Sequence, residues 1–119
     1  MDRSHNVLII EDEPLIAMML EDFLEALGHR VAGTADCVSE AIDQIDGGAF
    51  DVAILDVHLR GGEASWPVAD ALASAGRPFV FATGGVIGDL PAAHRAAPLL
   101  SKPFTIDSVE RALEQIAGA

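Results

Sequence analysis

Five polar residues stand where short apolar runs stop. Glu11 and Asp12 follow Val7-Leu8-Ile9-Ile10, Asp56 ends Val52-Ala53-Ile54-Leu55, Thr83 follows Pro78-Phe79-Val80-Phe81-Ala82, and Lys102 lies two residues beyond Leu100. An acid that closes a strand-type run breaks the pattern a core strand would continue. In an open parallel α/β sheet, ligands bind beyond the carboxyl ends of the strands. On one such sheet the three carboxylates share a crevice, with Thr83 next along and Lys102 beyond it. Three carboxylates that close together repel one another unless a proton or a hard cation intervenes. Oxygen-only ligands with room for water suit Mg²⁺ better than zinc. A divalent cation, an ammonium and a hydroxyl around a remaining carboxylate supply what a transferring phosphoryl group needs, namely charge neutralisation and fixed donors for its oxygens. Asp56 is then the candidate nucleophile.

The elements that must position these groups read as five βα units. After the first strand, Val7 to Ile10, Pro14 suits a helix start. Leu15, Met19, Phe23 and Ile16, Leu20, Leu24, Leu27 recur at helical steps, and Gly28 is placed to end the helix. Arg30 to Ala35 alternates weakly as strand two. Val38, Ala41, Ile42 and Ile45 line a helix that stops at Gly47-Gly48. The third strand closes on Asp56, Arg60-Gly61-Gly62 reads as a flexible loop, and a third helix runs from Trp66-Pro67 to a stop at Gly76. Residues 86 to 98 carry the weakest helical signal, so a fourth helix there is expected to be short and easily reordered. Ala97 to Leu100 reads as strand five, and Thr105 caps a last helix with Ile106, Val109, Leu113 and Ile116 on its apolar face. Right-handed crossovers then order the sheet 2-1-3-4-5, a doubly wound five-stranded parallel sheet of flavodoxin-like type, with a switch point between strands one and three.

Composition narrows the partners. The chain has 119 residues, half of them apolar, enough for one domain over 1–119 with a real core. Its 19 acidic against 7 basic residues, a formal charge of −12, disfavour nucleic acid and anionic membrane surfaces and favour output through a protein target. Cys37 is the sole cysteine, the four histidines lack metal-ligand spacing, and the first apolar run is too short for a leader or a membrane span. A cytoplasmic protein is expected.

With Glu11-Asp12, Leu55-Asp56, Ala82-Thr83-Gly84 and Lys102-Pro103 following strands one, three, four and five in that order, the chain resembles the receiver domains of two-component response regulators over nearly its whole length. The resemblance implies that Asp56 takes a phosphoryl group from a histidine kinase or histidine phosphotransfer protein. It implies that Asp12 and Asp56 ligate Mg²⁺, with Glu11 acting through a water and the His58 carbonyl completing the protein ligands. Thr83 and Lys102 would hold phosphoryl oxygens, Lys102-Pro103 would be the family's cis peptide, and the protein would be a monomer or weak dimer. Phe81-Ala82-Thr83-Gly84 is similar to stand-alone receivers that carry a Tyr soon after this glycine. Here Gly85 and Val86 follow, Leu99 holds the usual place of the switch aromatic, and the chain has no Tyr. The absence of that aromatic leads to the expectation that residues 84 to 98 carry the response.

Two other functions are weighed. A phosphotransferase of the haloacid-dehalogenase type needs Asp-x-Asp after strand one, where this chain has Glu11-Asp12-Glu13. A degenerate receiver used only for binding should have lost one of Asp12, Asp56, Thr83 or Lys102, and all four are present. Taken singly, Asp56 reads as a cap, Lys102 as a surface charge and Thr83 as a strand former; only their joint placement after strand ends overrides that. The His58 side chain reads as exposed loop, Trp66 as local packing, and Cys37 as a small residue at a helix start.

Overall fold

The structure, a computed structural model, describes residues 4–84 and 97–116. The sheet strands are β1 (Asn6–Ile10), β2 (Arg30–Ala35), β3 (Val52–Asp56), β6 (Phe79–Thr83) and β7 (Leu99–Ser101), all parallel, in the spatial order β2-β1-β3-β6-β7. With β6 and β7 as the fourth and fifth strands, this is the expected 2-1-3-4-5 order. Helices α1 (Pro14–Ala26), α2 (Val38–Gly47), α3 (Trp66–Ser74) and α4 (Ile106–Ile116) cover both faces. The short helix expected between residues 86 and 98 lies mostly outside the described residues.

The unbroken apolar runs of the central strands follow from burial on two sides. Leu8, Ile10, Ala53, Leu55 and Phe81 join one core with Val68 and Leu72 of α3. Their strand neighbours Val7, Ile9, Ile54 and Val80 join the other with Leu20 and Leu24 of α1 and Val109 of α4. The weak alternation of Arg30 to Ala35 also has a local cause. The register slips between Val7↔Val31 and Leu8↔Gly33, so Ala32 is a bulged residue on an edge strand.

The helices end where glycines permit it. Gly48 and Gly76 take positive φ of 69° and 70° after α2 and α3, a conformation that is costly for a residue with a Cβ. At the start of α4, Thr105 Oγ1 accepts the Ser108 N–H at 3.0 Å while Ser108 Oγ accepts the Thr105 N–H at 2.9 Å, a reciprocal cap of the expected residue.

Of the two apolar rows of α1, the one that begins at Leu15 does not reach the core at its first turn. Leu20 and Leu24, one row over, face the sheet, whereas Leu15 is 78% exposed. Strand five runs over Leu99–Ser101, not 97–100: Pro98 lacks an N–H and serves only by accepting the Phe81 N–H at 3.0 Å, so pairing starts at Leu99. The loop at Arg60-Gly61-Gly62 is an ordered turn in a small antiparallel hairpin of β4 (His58–Leu59) and β5 (Glu63–Ala64).

Phe81 is fully buried at the centre of one core, meeting Trp66 and Phe79 edge-on at ring separations of 5.6 and 5.3 Å. Phe81→Ala is expected to cost about 3–5 kcal/mol, while Leu99→Ala on the exposed edge changes stability by about 0.5 kcal/mol or less. Urea denaturation of the two variants checks this; equal midpoints would contradict the assignment of the core.

Candidate functional site

Asp56 is the last residue of β3, and its neighbours in the sheet set its surroundings. β1 pairs with β3 so that Ile10 lies beside Leu55, which brings Glu11 and Asp12 level with Asp56. Glu11 N–H donates to Ala35 C=O at 2.9 Å, keeping the chain in line past the strand end. On the other side Asp56 lies opposite Ala82, so Thr83 stands one residue further out, paired with Ser101. Lys102 N–H donates to Thr83 C=O at 2.8 Å, and the Lys102-Pro103 peptide is cis. The Lys102 stem passes Gly84, where a Cβ would lie 3.7 Å from Lys102 Cδ.

Four of the expected groups converge. One oxygen from each of Glu11, Asp12 and Asp56 lies within 4.8 Å of the others. Lys102 Nζ donates a hydrogen bond to Asp56 Oδ2 at 3.1 Å and makes an ion-pair contact of 3.1 Å with Glu11 Oε1. Only a long side chain spans from β7 across β6 to β3. Thr83 is half-buried at the adjoining strand end, and the His58 side chain is exposed on β4, outside the cluster.

Glu11 and Asp56 are both buried, at 5% and 7% exposure. Burial first, and then the hydrogen bond and negative charge of Asp56, push Glu11 up to about 7, against the opposing pull of the Glu13 N–H and Lys102. Burial alone would lower the Lys102 ammonium, but the hydrogen bonds and charges of Asp56 and Glu11 outweigh it and raise its pKa. The carboxylate repulsion is thus relieved by a proton on Glu11 and by the ammonium between the two acids.

The same atoms fit a hard divalent cation. The donors are all carboxylate oxygens. Glu11 Oε2 accepts the Glu13 N–H at 3.1 Å, whereas the buried Oε1 is turned into the cluster, with the Lys102 ammonium 3.1 Å away. Once the ammonium is drawn to another group and the proton is lost, that oxygen would be left to accept from a water or meet a cation.

A second group, Asp36, Cys37 and Glu40, also places its ligand atoms within 4.8 Å. Its carboxylates are structural: Asp36 Oδ2 accepts from Arg60 at 3.2 Å, and Glu40 Oε1 accepts the Asp36 N–H at 3.3 Å. Sequence reasoning missed the β4–β5 hairpin and the ties it makes to this group. The signal was available: a Gly-Gly pair between two short extended runs marks a tight hairpin, and Gly61 and Gly62 both take positive φ, 77° and 76°.

Between pH 4.5 and about 7 the folded chain keeps a proton on Glu11 that the unfolded chain has released. The native state binds more protons in this window, so stability falls as the pH rises through it. The difference corresponds to on the order of 3 kcal/mol across the window. With divalent cations chelated, Glu11→Gln is expected to flatten this slope and to be more stable than wild type at pH 8. Denaturant titrations over pH 4.5 to 8 decide it; the same slope in both proteins would contradict the titration of Glu11.

Comparison with known proteins agrees with this geometry. The model of the response regulator receiver domain matches residues 7–64, a span that includes Glu11, Asp12 and Asp56. SdrG from Sphingomonas melonis Fr1, solved in solution, is 55% identical, with a TM-score of 0.84 over 95% of this chain and 96% of that one. The phyllosphere-induced regulator PhyR of Methylorubrum extorquens is 36% identical over 120 residues, covering 96% of this chain and 44% of PhyR. The crystal structure of the anti-anti-sigma factor PhyR from Bartonella quintana is 32% identical, with a TM-score of 0.80 over 96% of this chain and 47% of that one. The chain thus spans under half the length of either PhyR. With the sheet order, the acids at its carboxyl edge and these likenesses together, the chain belongs to the response regulator receiver domain family of two-component signalling.

Proposed function

We propose that this receiver accepts a phosphoryl group on Asp56 from a histidine kinase or histidine phosphotransfer protein, uses Mg²⁺, and signals through contacts with a protein output target. The observation that carries the reading is the placement of Lys102 Nζ, 3.1 Å from both Asp56 Oδ2 and Glu11 Oε1, within a cluster of three acids. In this reading residues 1–119 act as one cytoplasmic receiver domain, a signalling protein that assists its own phosphoryl transfer and hydrolysis. No helix among the described residues is long and apolar enough to cross a membrane.

An Asp56 carboxylate oxygen attacks phosphorus, the bond from phosphorus to the donor imidazole nitrogen breaks, and an acyl phosphate forms. Lys102, already in contact with Asp56, meets an oxygen of the incoming group, and the Thr83 hydroxyl at the adjoining strand end is the second donor. Asp12, Asp56 and the His58 carbonyl are the proposed Mg²⁺ ligands, with Glu11 binding through water. When bound, Mg²⁺ supplies neutralising charge for the transferring oxygens. The likeness to the receiver portion of PhyR, named an anti-anti-sigma factor in Bartonella quintana, supports output through a protein partner.

Asp56→Asn is nearly isosteric and is expected to fold as wild type while losing phosphoryl uptake. Intact-mass measurement after incubation with acetyl phosphate and Mg²⁺ tests the reading. A phosphorylated mass in the variant equal to that of wild type would remove Asp56 as the acceptor.

Millimolar Mg²⁺ is expected to stabilise wild type, by about 2.7 kcal/mol at a hundredfold excess over its dissociation constant. Asp12→Ala should lose most of that gain. Thermal melts with and without the cation check it; no shift in wild type would end the cation reading.

A further inference from the structure

The β4–β5 hairpin starts two residues after Asp56 and is fastened to the N-terminal end of α2. From the turn, Arg60 N–H donates to Asp36 C=O at 3.0 Å and the guanidinium reaches Asp36 Oδ2 at 3.2 Å. From the returning strand, Glu63 Oε1 accepts the Val38 N–H at 3.0 Å. Helix α2 has no side-chain cap of its own, because its N-cap is Cys37, which makes no such bond. Glu63 therefore does the work of a cap from 25 residues away in sequence, with its negative charge at the positive end of the helix. The Arg60–Asp36 ion pair, with side chains 63% and 38% exposed, is screened and weak. Of the side-chain ties, Glu63 is the stronger.

What the hairpin presents is the His58 backbone. At its base Ser65 N–H donates to Val57 C=O at 3.0 Å, which makes His58↔Ala64 a non-hydrogen-bonded pair and leaves the His58 carbonyl out of the ladder. That carbonyl is the ligand this loop contributes to the proposed cation site.

We infer that Glu63 is a positioning residue for the cation site: by capping α2 it anchors the hairpin, and the hairpin sets the His58 carbonyl, so that the site and the N-terminus of α2 are coupled. The inference rests on the proposed Mg²⁺ binding. Coupling of this kind is reciprocal, so occupation of the site must also firm the start of α2.

Hydrogen exchange of the full chain with and without millimolar Mg²⁺, paired with calorimetric Mg²⁺ titration, tests it in wild type, Glu63→Ala and Glu63→Gln. In wild type, Mg²⁺ is expected to slow exchange at residues 38–41 about fivefold. Glu63→Ala should lose that response and bind Mg²⁺ about fivefold more weakly. Glu63→Gln, which keeps an oxygen acceptor for Val38 N–H, should restore most of both. If Glu63→Ala speeds exchange at 38–41 equally with and without Mg²⁺ and leaves Mg²⁺ affinity unchanged, Glu63 is a structural cap only and the inference falls. Wild type that binds Mg²⁺ with no change at 38–41 also overturns the coupling, leaving the proposed function intact. Wild type that binds no Mg²⁺ overturns both.

Discussion

The repulsion among Glu11, Asp12 and Asp56 is the constraint on which the site depends. Two of these acids are buried, where charge is expensive, and they stay together because burial beside Asp56 raises Glu11 to about 7, so that it holds a proton in more acidic solution, and because Lys102 stands between Glu11 and Asp56. A cluster so balanced is poised for exchange. In the proposed function a cation takes the place of the proton, and the ammonium turns to the oxygens of the incoming phosphoryl group, whose added negative charge it and the cation answer.

The parallel sheet is what makes this balance possible. Register alone sets Glu11 beside Asp56 across β1 and β3, and Thr83 beside Ser101 across β6 and β7. A one-residue slip in any pair would turn an acid into the core and an aliphatic into the site. Two apolar cores, one on each face, hold that register, so the stability of the fold and the geometry of the site have the same origin. Lys102 completes the arrangement through its length, reaching over two strands while its backbone is tied to Thr83.

Around this rigid edge, the connections carry what is particular to this chain. No tyrosine is available for the aromatic switch of similar receivers. The loop after Asp56 is instead a closed hairpin joined by Arg60 and Glu63 to the start of α2. These ties fasten the stretch after Asp56 to the α2 end of the fold.

The strand ends, the acids, Lys102 and the sheet order were legible in the sequence because each rests on short-range pattern: apolar runs bounded by polar residues, helices bounded by Pro14, Gly28, Gly48 and Gly76, and crossovers of one hand. Even the need for a proton or cation followed from three carboxylates at one sheet edge. Tertiary structure decided the rest, since those outcomes depend on partners distant in the chain. That Leu15 stays in water while Leu20 is buried is set by which row of α1 meets the sheet. The start of β7 at Leu99 is set by pairing with Phe81, and the bulge at Ala32 by pairing with β1. That the Glu11 carboxyl is raised to about 7 depends on its burial and on Asp56 beside it. The capping of α2 by Glu63 had no local signature at all, because the donor at Val38 and the acceptor 25 residues later meet only when the hairpin closes against the start of α2.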